Sequence, residues 1–133
     1  TEYLFVYPHI GDLKVFCLER LGEHLRSIFG YVSTGGEFFY LRDDVSQEYA
    51  EQTLGELAGI SFEVHQAISP LRFDPPTTPL GEYDVTIHLF EDAYAVQFPL
   101  EEYSGCVLTF DRSADVQPHI LSQEALALIQ SAG

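Results

Sequence analysis

Basic residues are scarce in this chain, and their scarcity limits what it can bind. Six Lys and Arg residues stand against 21 Asp and Glu residues, giving a formal net charge of −15 at pH 7. Lys14 is the only lysine, and asparagine is absent. A field of this sign repels nucleic-acid phosphates and anionic membranes. We therefore expect neither a nucleic acid nor a membrane as a partner.

The acidic excess itself has three interpretations. Acids scattered along the chain, with almost no lysine, indicate adaptation to molar salt, where a Debye length of ~3 Å removes the self-repulsion. Acids gathered on one surface would instead indicate a DNA mimic or a docking face for a basic protein. We favour haloadaptation, because lysine is scarce and the acids are scattered through the chain; extreme charge of this kind bears on solubility and not on fold.

Long apolar runs are also missing. No run approaches the ~20 residues that span a bilayer, and the opening segment has no basic stretch of the kind that begins a signal peptide. With 133 residues and 46 % hydrophobic content, the chain is large enough for one core. We predict a single domain over residues 1–133 and a cytoplasmic location.

Catalytic and metal-binding motifs cannot be recognised. The five histidines show neither H-x₃-H nor H-E-x-x-H spacing, and no phosphate-binding G-K-[ST] or calcium loop occurs. Cys17 and Cys106 have no activating base beside them, which favours two buried free thiols, although a disulfide stays open. His88 near the Glu91-Asp92 turn is most simply a surface or partly buried histidine. We expect no enzymatic activity, no cofactor and no metal.

The chain centres on the segment 82–112, which predicts a three-stranded antiparallel meander. Three β-favouring runs are separated by acidic turn signals, and side chains alternate between the two faces of such strands. One face is strongly apolar and predicts core; it carries Val85, Ile87, Leu89, Val96, Phe98, Leu108 and Phe110. The opposite face carries His88, Phe90 and Val107 and predicts a surface for a partner or a ligand.

The other elements fit around this meander. A helix is predicted over 13–28, a hairpin turns at Ser33–Gly36, a second helix starts at Asp43-Asp44, and a last helix covers 119–131. The spacing of apolar residues does not decide whether residues 60–71 form a strand or a helix. Residues 70–81 are rich in proline and predict a crossover loop. Residues 1–11 are an N-terminal edge segment.

This order predicts an α+β domain, α-β-β-α-β-β-β-α, with helices packed mainly on one face of a five-stranded antiparallel sheet. Tyr3–Tyr7 (YLFVY) would make a sixth strand or dock on a partner subunit. Arg42 and Arg72 are rare cations here, so we expect each to hold an acidic side chain by paired hydrogen bonds.

The element order resembles that of roadblock, longin and profilin-like domains. A second resemblance lies in the segments LRDDV (41–45) and HLFED (88–92) with Tyr49, which are similar to a family of small acidic haloarchaeal proteins of unknown function. The roadblock resemblance implies homodimerisation through an extended sheet or paired helices, and binding to a GTPase or a scaffold. The haloarchaeal resemblance implies a salt-rich archaeal cytoplasm.

Two functions follow as hypotheses. The first is a non-enzymatic interaction or regulatory module, acting as a homodimer that docks a protein partner. The alternative is a PAS- or GAF-like domain that senses a small molecule in a pocket between the sheet and the helices. Candidate residues of the interaction surface are Tyr3, Phe5, Tyr7, His88, Phe90 and Val107.

Overall fold

The computed structural model describes residues 9–47, 51–76 and 79–130, with the backbone alone described at 51–54. The chain begins with helix α1 (Ile10–Leu21), a 3₁₀ turn (Gly22–His24), and strands β1 (Leu25–Val32) and β2 (Gly35–Leu41). Helices α2 (Asp43–Ser46) and α3 (Glu51–Phe73) follow. The last elements are strands β3 (Thr86–Leu89), β4 (Ala93–Glu101) and β5 (Ser104–Asp111), and helix α4 (Pro118–Gln130).

The five strands form one antiparallel sheet in the order β2-β1-β5-β4-β3. The α+β class, the five strands and the predicted element order are confirmed, with the predicted second helix divided into α2 and α3. The meander is also confirmed, because β3, β4 and β5 are consecutive neighbours. The predicted sixth strand, Tyr3–Tyr7, lies outside the described residues.

Helices α1 and α4 cover one face of the sheet and enclose the main core. Burial of each large apolar side chain there contributes on the order of 1.5–3 kcal/mol. The helices contribute Leu13, Cys17, Leu21, Leu121, Ala125 and Leu126, and the strands contribute Leu25, Ile28, Val96, Phe98, Cys106, Leu108 and Phe110. Ile87 and Leu89, predicted for this core, are instead exposed, because β3 is the edge strand.

Helix α3 covers the opposite face of the sheet. Phe29, Tyr31 and Ala58 form a second buried cluster there, with Phe62 and Val107 packed against it. The expectation that the helices pack mainly on one face holds for α1 and α4, while α3 covers the face that the sequence predicted to be open. Val107 is therefore half-buried beneath α3.

The first helix is shorter than predicted. It ends at Leu21, and Gly22 adopts a φ of 56°, a left-handed conformation that glycine tolerates and other residues avoid. Leu25 and Ile28, which continued the helical spacing, belong to β1. The prediction of one helix over 13–28 was wrong, because the leucine spacing runs on through a helix end.

Residues 60–71, left open by the sequence, are helical and lie within α3. Pro70 is inside this helix, so the irregular connection to β3 begins after Phe73 and not at residue 70. The predicted start of a helix at Asp43 and the predicted last helix, within one residue at each end, are confirmed.

The β1–β2 hairpin turns at Ser33-Thr34. Among the described glycines only Gly22 and Gly81 have positive φ, so Gly35 and Gly36 do not supply the positive φ that glycine commonly gives a hairpin turn. Gly36 is needed for space: a Cβ there would lie 2.5 Å from the Phe29 ring and 2.6 Å from the Gly30 carbonyl oxygen.

Candidate functional site

A chain of buried polar side chains crosses the interface between α3 and the sheet. The Tyr31 hydroxyl oxygen lies 2.7 Å from His65 Nδ1, and His65 Nε2 lies 2.9 Å from the carbonyl oxygen of Glu102 in the β4–β5 turn. A carbonyl oxygen can only accept, so Nε2 carries the imidazole hydrogen and Nδ1 accepts from Tyr31. Tyr31 and His65 are fully buried. The pair therefore ties α3 to β1 and to the β4–β5 turn.

Gln97 extends the chain toward β3. Its Nε2 lies 3.0 Å from the Tyr31 hydroxyl oxygen and 2.9 Å from the Ser61 carbonyl oxygen. Only an NH₂ group can face that carbonyl, so the amide orientation is fixed and Oε1 faces His88 Nε2 at 3.2 Å. His88 therefore donates through Nε2. Its Nδ1 has no hydrogen-bond partner among the described residues.

Burial sets the protonation of the two central groups. It lowers the pKa of His65 below its ordinary value, although the backbone carbonyls of Glu102 and Glu101 favour the charged form. Burial also raises the pKa of Tyr31, against the hydrogen bond from Gln97. At neutral pH His65 is therefore neutral and Tyr31 is protonated, which matches the hydrogen-bond directions above.

Gly105 makes room for Tyr31. The two residues face each other across β1 and β5, and a Cβ at Gly105 would lie 2.3 Å from the Tyr31 hydroxyl oxygen and 2.5 Å from the Phe98 carbonyl oxygen. A Cβ atom essentially never makes non-bonded contacts this short. A larger residue at position 105 would therefore displace the tyrosine side chain.

The polar chain ends at an open cleft of about 490 Å³ between α3 and the sheet. His88 and Gln97 line it, while Phe90 and the Glu91-Asp92 turn lie at its β3 end. Its apolar lining comes from both layers: Leu57, Ile60 and Val64 of α3, and Ala93, Ala95 and Val107 of the sheet.

Side-chain size explains the cleft. Phe29 and Tyr31 fill the space between α3 and β1, whereas β4 presents Ala93 and Ala95 to the same helix layer. Small side chains there leave a gap that the facing helix does not close.

The outer edge of β3 is the second candidate feature. Among the described residues, β3 pairs with β4 alone. Ile87 and Leu89 on one face, and Phe90 just past the strand, are 38 %, 62 % and 59 % exposed. An edge strand with exposed apolar residues is a template for another strand.

A cluster of charges joins three segments at the other side of the cleft. The Asp111 carboxylate accepts from Arg42 at 2.8 Å and from Arg26 at 3.2 Å, and lies 3.4 Å from His24 Nδ1. Arg42 also binds Asp44 through two nitrogens, at 2.6 and 3.1 Å. Burial opposes the charge of Asp111, but these hydrogen bonds outweigh it and lower the pKa. The positive charges of this cluster are already neutralised.

The structure places the predicted site residues in different settings. His88 lines the cleft, Phe90 is exposed at its end, and Val107 packs beneath α3. Tyr3, Phe5 and Tyr7 lie outside the described residues. Arg42 forms the expected paired hydrogen bonds with a carboxylate, while Arg72 lies over the Phe73 ring at 5.8 Å.

Sequence reasoning missed Tyr31, His65 and Gln97 as a connected set. Nothing in the local sequence distinguishes His65 from an ordinary histidine, or Tyr31 from any other residue of a strand. The available signal was Gln97, the polar residue within the apolar run AYAVQFPL, because a polar side chain in a buried strand requires a partner.

Within residues 9–47, 51–76 and 79–130, no group of three or more His, Cys, Asp or Glu side chains is placed to hold a metal ion. No described helix has both the length and the apolar character needed to cross a membrane.

A protein-family model described as "Domain of unknown function (DUF7522)" matches residues 11–130. The chain belongs to the DUF7522 family. The match runs from the second residue of α1 to the last residue of α4, so the family covers the whole architecture, including the cleft and the β3 edge of this DUF7522 domain. No curated protein matches the sequence.

Solved structures resemble this DUF7522 domain at low sequence identity. The roadblock/LC7 domain from Streptomyces avermitilis is 12 % identical with a TM-score of 0.53, over 96 % of this chain and 91 % of that one. Myxococcus xanthus MglB is 11 % identical with a TM-score of 0.55, over 91 % and 86 %. The gliding protein MglB from Thermus thermophilus is 17 % identical with a TM-score of 0.55, over 95 % and 89 %. These likenesses establish the fold alone, and they confirm the roadblock-like architecture of the DUF7522 domain.

Proposed function

We propose that this chain is a non-enzymatic interaction module that forms a homodimer and docks a protein partner in the cytoplasm of a halophilic archaeon. The observation that carries the proposal is the outer edge of β3, where Ile87 and Leu89 on one face, and Phe90 just past the strand, are exposed apolar side chains. Such an edge is an aggregation hazard unless it is covered.

A second copy of the chain is a suitable cover for this edge. Two β3 strands related by a twofold axis would pair antiparallel and join the two sheets, and the surface is then self-complementary. Ile87 and Leu89 would be buried on one face of the joined sheet. The roadblock-like fold supports the same assembly, since the resemblance implies a dimer built on an extended sheet or paired helices.

The cysteines support a non-catalytic role in a reducing compartment. Cys17 and Cys106 are both fully buried and free. Burial raises the pKa of Cys17 to about 12, and it also raises the pKa of Cys106. A nucleophilic cysteine needs the opposite shift, and free thiols are typical of cytoplasmic proteins.

The distribution of acids supports the halophilic setting. Exposed carboxylates occur on α1, α2, α3, both turns of the meander and the segment before α4, for example Glu19, Glu63, Asp92 and Asp115. Because α1 and α3 lie on opposite faces of the sheet, these acids favour a scattered distribution over one gathered on a single surface.

Light scattering during size-exclusion chromatography tests the dimer. The buffer contains about 3 M KCl, because molar salt screens the charges of the chain. We expect twice the chain mass for the wild type and the single chain mass for Leu89→Lys. Val15→Lys is the matched control, because Val15 is an exposed apolar residue of α1, 56 % exposed. A monomeric wild type, or a Leu89→Lys variant that remains dimeric, would contradict the proposed interface.

A further inference from the structure

We infer that the cleft between α3 and the sheet binds a small, neutral and mainly apolar molecule that carries one N–H or O–H group, with His88 Nδ1 as the acceptor. This site is distinct from the proposed dimer edge, although Phe90 lies close to both. The inference specifies where a small molecule would bind, and what chemistry it would have, in the alternative hypothesis of a sensing pocket between the sheet and the helices.

Size and lining favour a small ligand. A volume of about 490 Å³ falls within the range of pockets that hold small molecules, roughly 300–1,000 Å³. Most of the wall area is apolar, which is usual for such pockets. The polar groups lie at both ends, with His88 and Gln97 toward β3 and Arg26 on β1. The floor under the ligand is Ala95, which is buried, and the opposing wall is Val64 of α3.

The hydrogen-bond directions specify the polar group of the ligand. The Ser61 carbonyl fixes the orientation of the Gln97 amide, and Gln97 Oε1 then accepts a hydrogen bond from His88 Nε2–H. An imidazole that donates through Nε2 alone keeps a lone pair on Nδ1, and His88 Nδ1 has no partner among the described residues. A ligand with an N–H or O–H group satisfies it, whereas a ligand with acceptors alone does not.

Charge argues against an anionic ligand. The cation in the lining, Arg26, already donates to Asp111, which Arg42 also holds. The exposed acids at the β3 end, Glu91 and Asp92, carry negative charge beside the cleft. A carboxylate or phosphate ligand would enter an uncompensated field of its own sign.

N-Phenyl-1-naphthylamine is a suitable probe, because it is neutral, apolar and carries one N–H group. We expect its fluorescence to rise saturably on titration of the wild-type protein in high KCl, with one probe per chain. The anionic dye 8-anilinonaphthalene-1-sulfonate should bind at least roughly tenfold more weakly, since like charges oppose its entry. Absence of a saturable signal for the amine probe would overturn the inference.

Filling the cleft tests the location. Ala95→Phe and Ala93→Phe each place a ring in the cleft. Each should weaken binding of the amine probe by roughly tenfold or more, because a filled pocket offers no apolar surface to bury. Ala127→Phe is the matched control on the exposed side of α4 and should bind as the wild type does. Ala93 is half-buried, so it supplies the test if Ala95→Phe fails to fold. Unchanged binding in a folded cleft variant would exclude this site.

His88→Val tests the acceptor. Loss of one net hydrogen bond predicts roughly five-fold weaker binding of the amine probe. 1-Phenylnaphthalene lacks the N–H group and should bind the variant and the wild type equally. An equal loss for both probes would show that His88 shapes the cleft without accepting from the ligand. Because these titrations do not report mass, their failure leaves the proposed dimer untouched, and a monomeric wild type leaves the cleft inference untouched.

Discussion

The Tyr31 hydroxyl donates to Nδ1 of His65 across the interface between the sheet and α3, at 2.7 Å and out of contact with solvent. The imidazole accepts there only while it is neutral. The bond therefore makes the stability of the domain depend on pH, with a sign that the burial of His65 fixes.

We predict that the free energy of unfolding falls as the pH drops below about 6.5. The pKa of His65 is lowered in the folded protein from its ordinary value of 6.5, so in this window the unfolded chain binds the proton and the folded chain does not. Stability then rises with pH and is complete above 6.5. Denaturant unfolding at a series of pH values in constant KCl measures it. His65→Gln should flatten this dependence, and an equal pH dependence in the variant would contradict it.

Gly105→Ala should destabilise the domain by about 1–3 kcal/mol, as overpacked sites do. The new methyl group would collide with the Tyr31 ring and with the Phe98 carbonyl. Gly11→Ala is the control, because nothing lies within 4 Å of the added atom at that helical position, and alanine there should stabilise by up to about 1 kcal/mol. Equal effects of the two substitutions on the denaturation midpoint would be inconsistent with the close approach.

Asp111→Asn should cost roughly 1.5–3 kcal/mol of unfolding free energy, the range for hydrogen bonds to charged groups. The substitution leaves Arg42 and Arg26 without their shared carboxylate, and these side chains are only 21 % and 22 % exposed. Asp44→Asn removes an acid that is 65 % exposed, and it should change the denaturation midpoint little. The lowered pKa of Asp111 means that its contribution is present at neutral pH and lost as the pH falls through that folded-state value. Equal costs for the two variants would argue against the cluster as a structural tie.

Salt should stabilise the wild type strongly. With a net charge of −15, self-repulsion is large at low ionic strength and disappears as the Debye length shrinks from about 30 Å at 0.01 M to 3 Å at 1 M. Thermal unfolding between low and molar KCl should show a rising midpoint. A midpoint that is independent of salt would favour a surface adapted to a basic partner over haloadaptation.

The meander could be predicted from the sequence, because the alternation of apolar and polar residues shows directly which side chains share a face of a strand. Val96, Phe98, Leu108 and Phe110 are all buried on the face that this period predicted. The last helix was equally clear, since Pro118 marks its start. Local patterns were sufficient wherever the burial of an element follows from its own periodicity.

Other features depend on tertiary context that no local pattern carries. The leucine spacing ran through Gly22, where a positive φ and a single 3₁₀ turn, Gly22–His24, separate α1 from β1. Residues 60–71 are helical because α3 has a sheet face to cover, which their own apolar spacing does not reveal. The Tyr31–His65 bond joins positions 34 apart, and the cleft arises where small residues of β4 meet helix α3. These are properties of packing between layers.

In the part of the chain that the structure describes, the outer strands of the sheet are β2 and β3. Pairing of β3 with a second β3 closes after two chains. Pairing of β3 with β2 of another copy would be head-to-tail, and it forms a filament wherever the rotation between copies does not close a ring. An extra residue, Phe39, interrupts the register of β2 against β1, and Glu37 adds charge to that strand. Bulges and charged side chains on an edge strand hinder its pairing with a strand of another chain. The irregular β2 therefore biases this acidic domain toward finite assemblies over open-ended polymers.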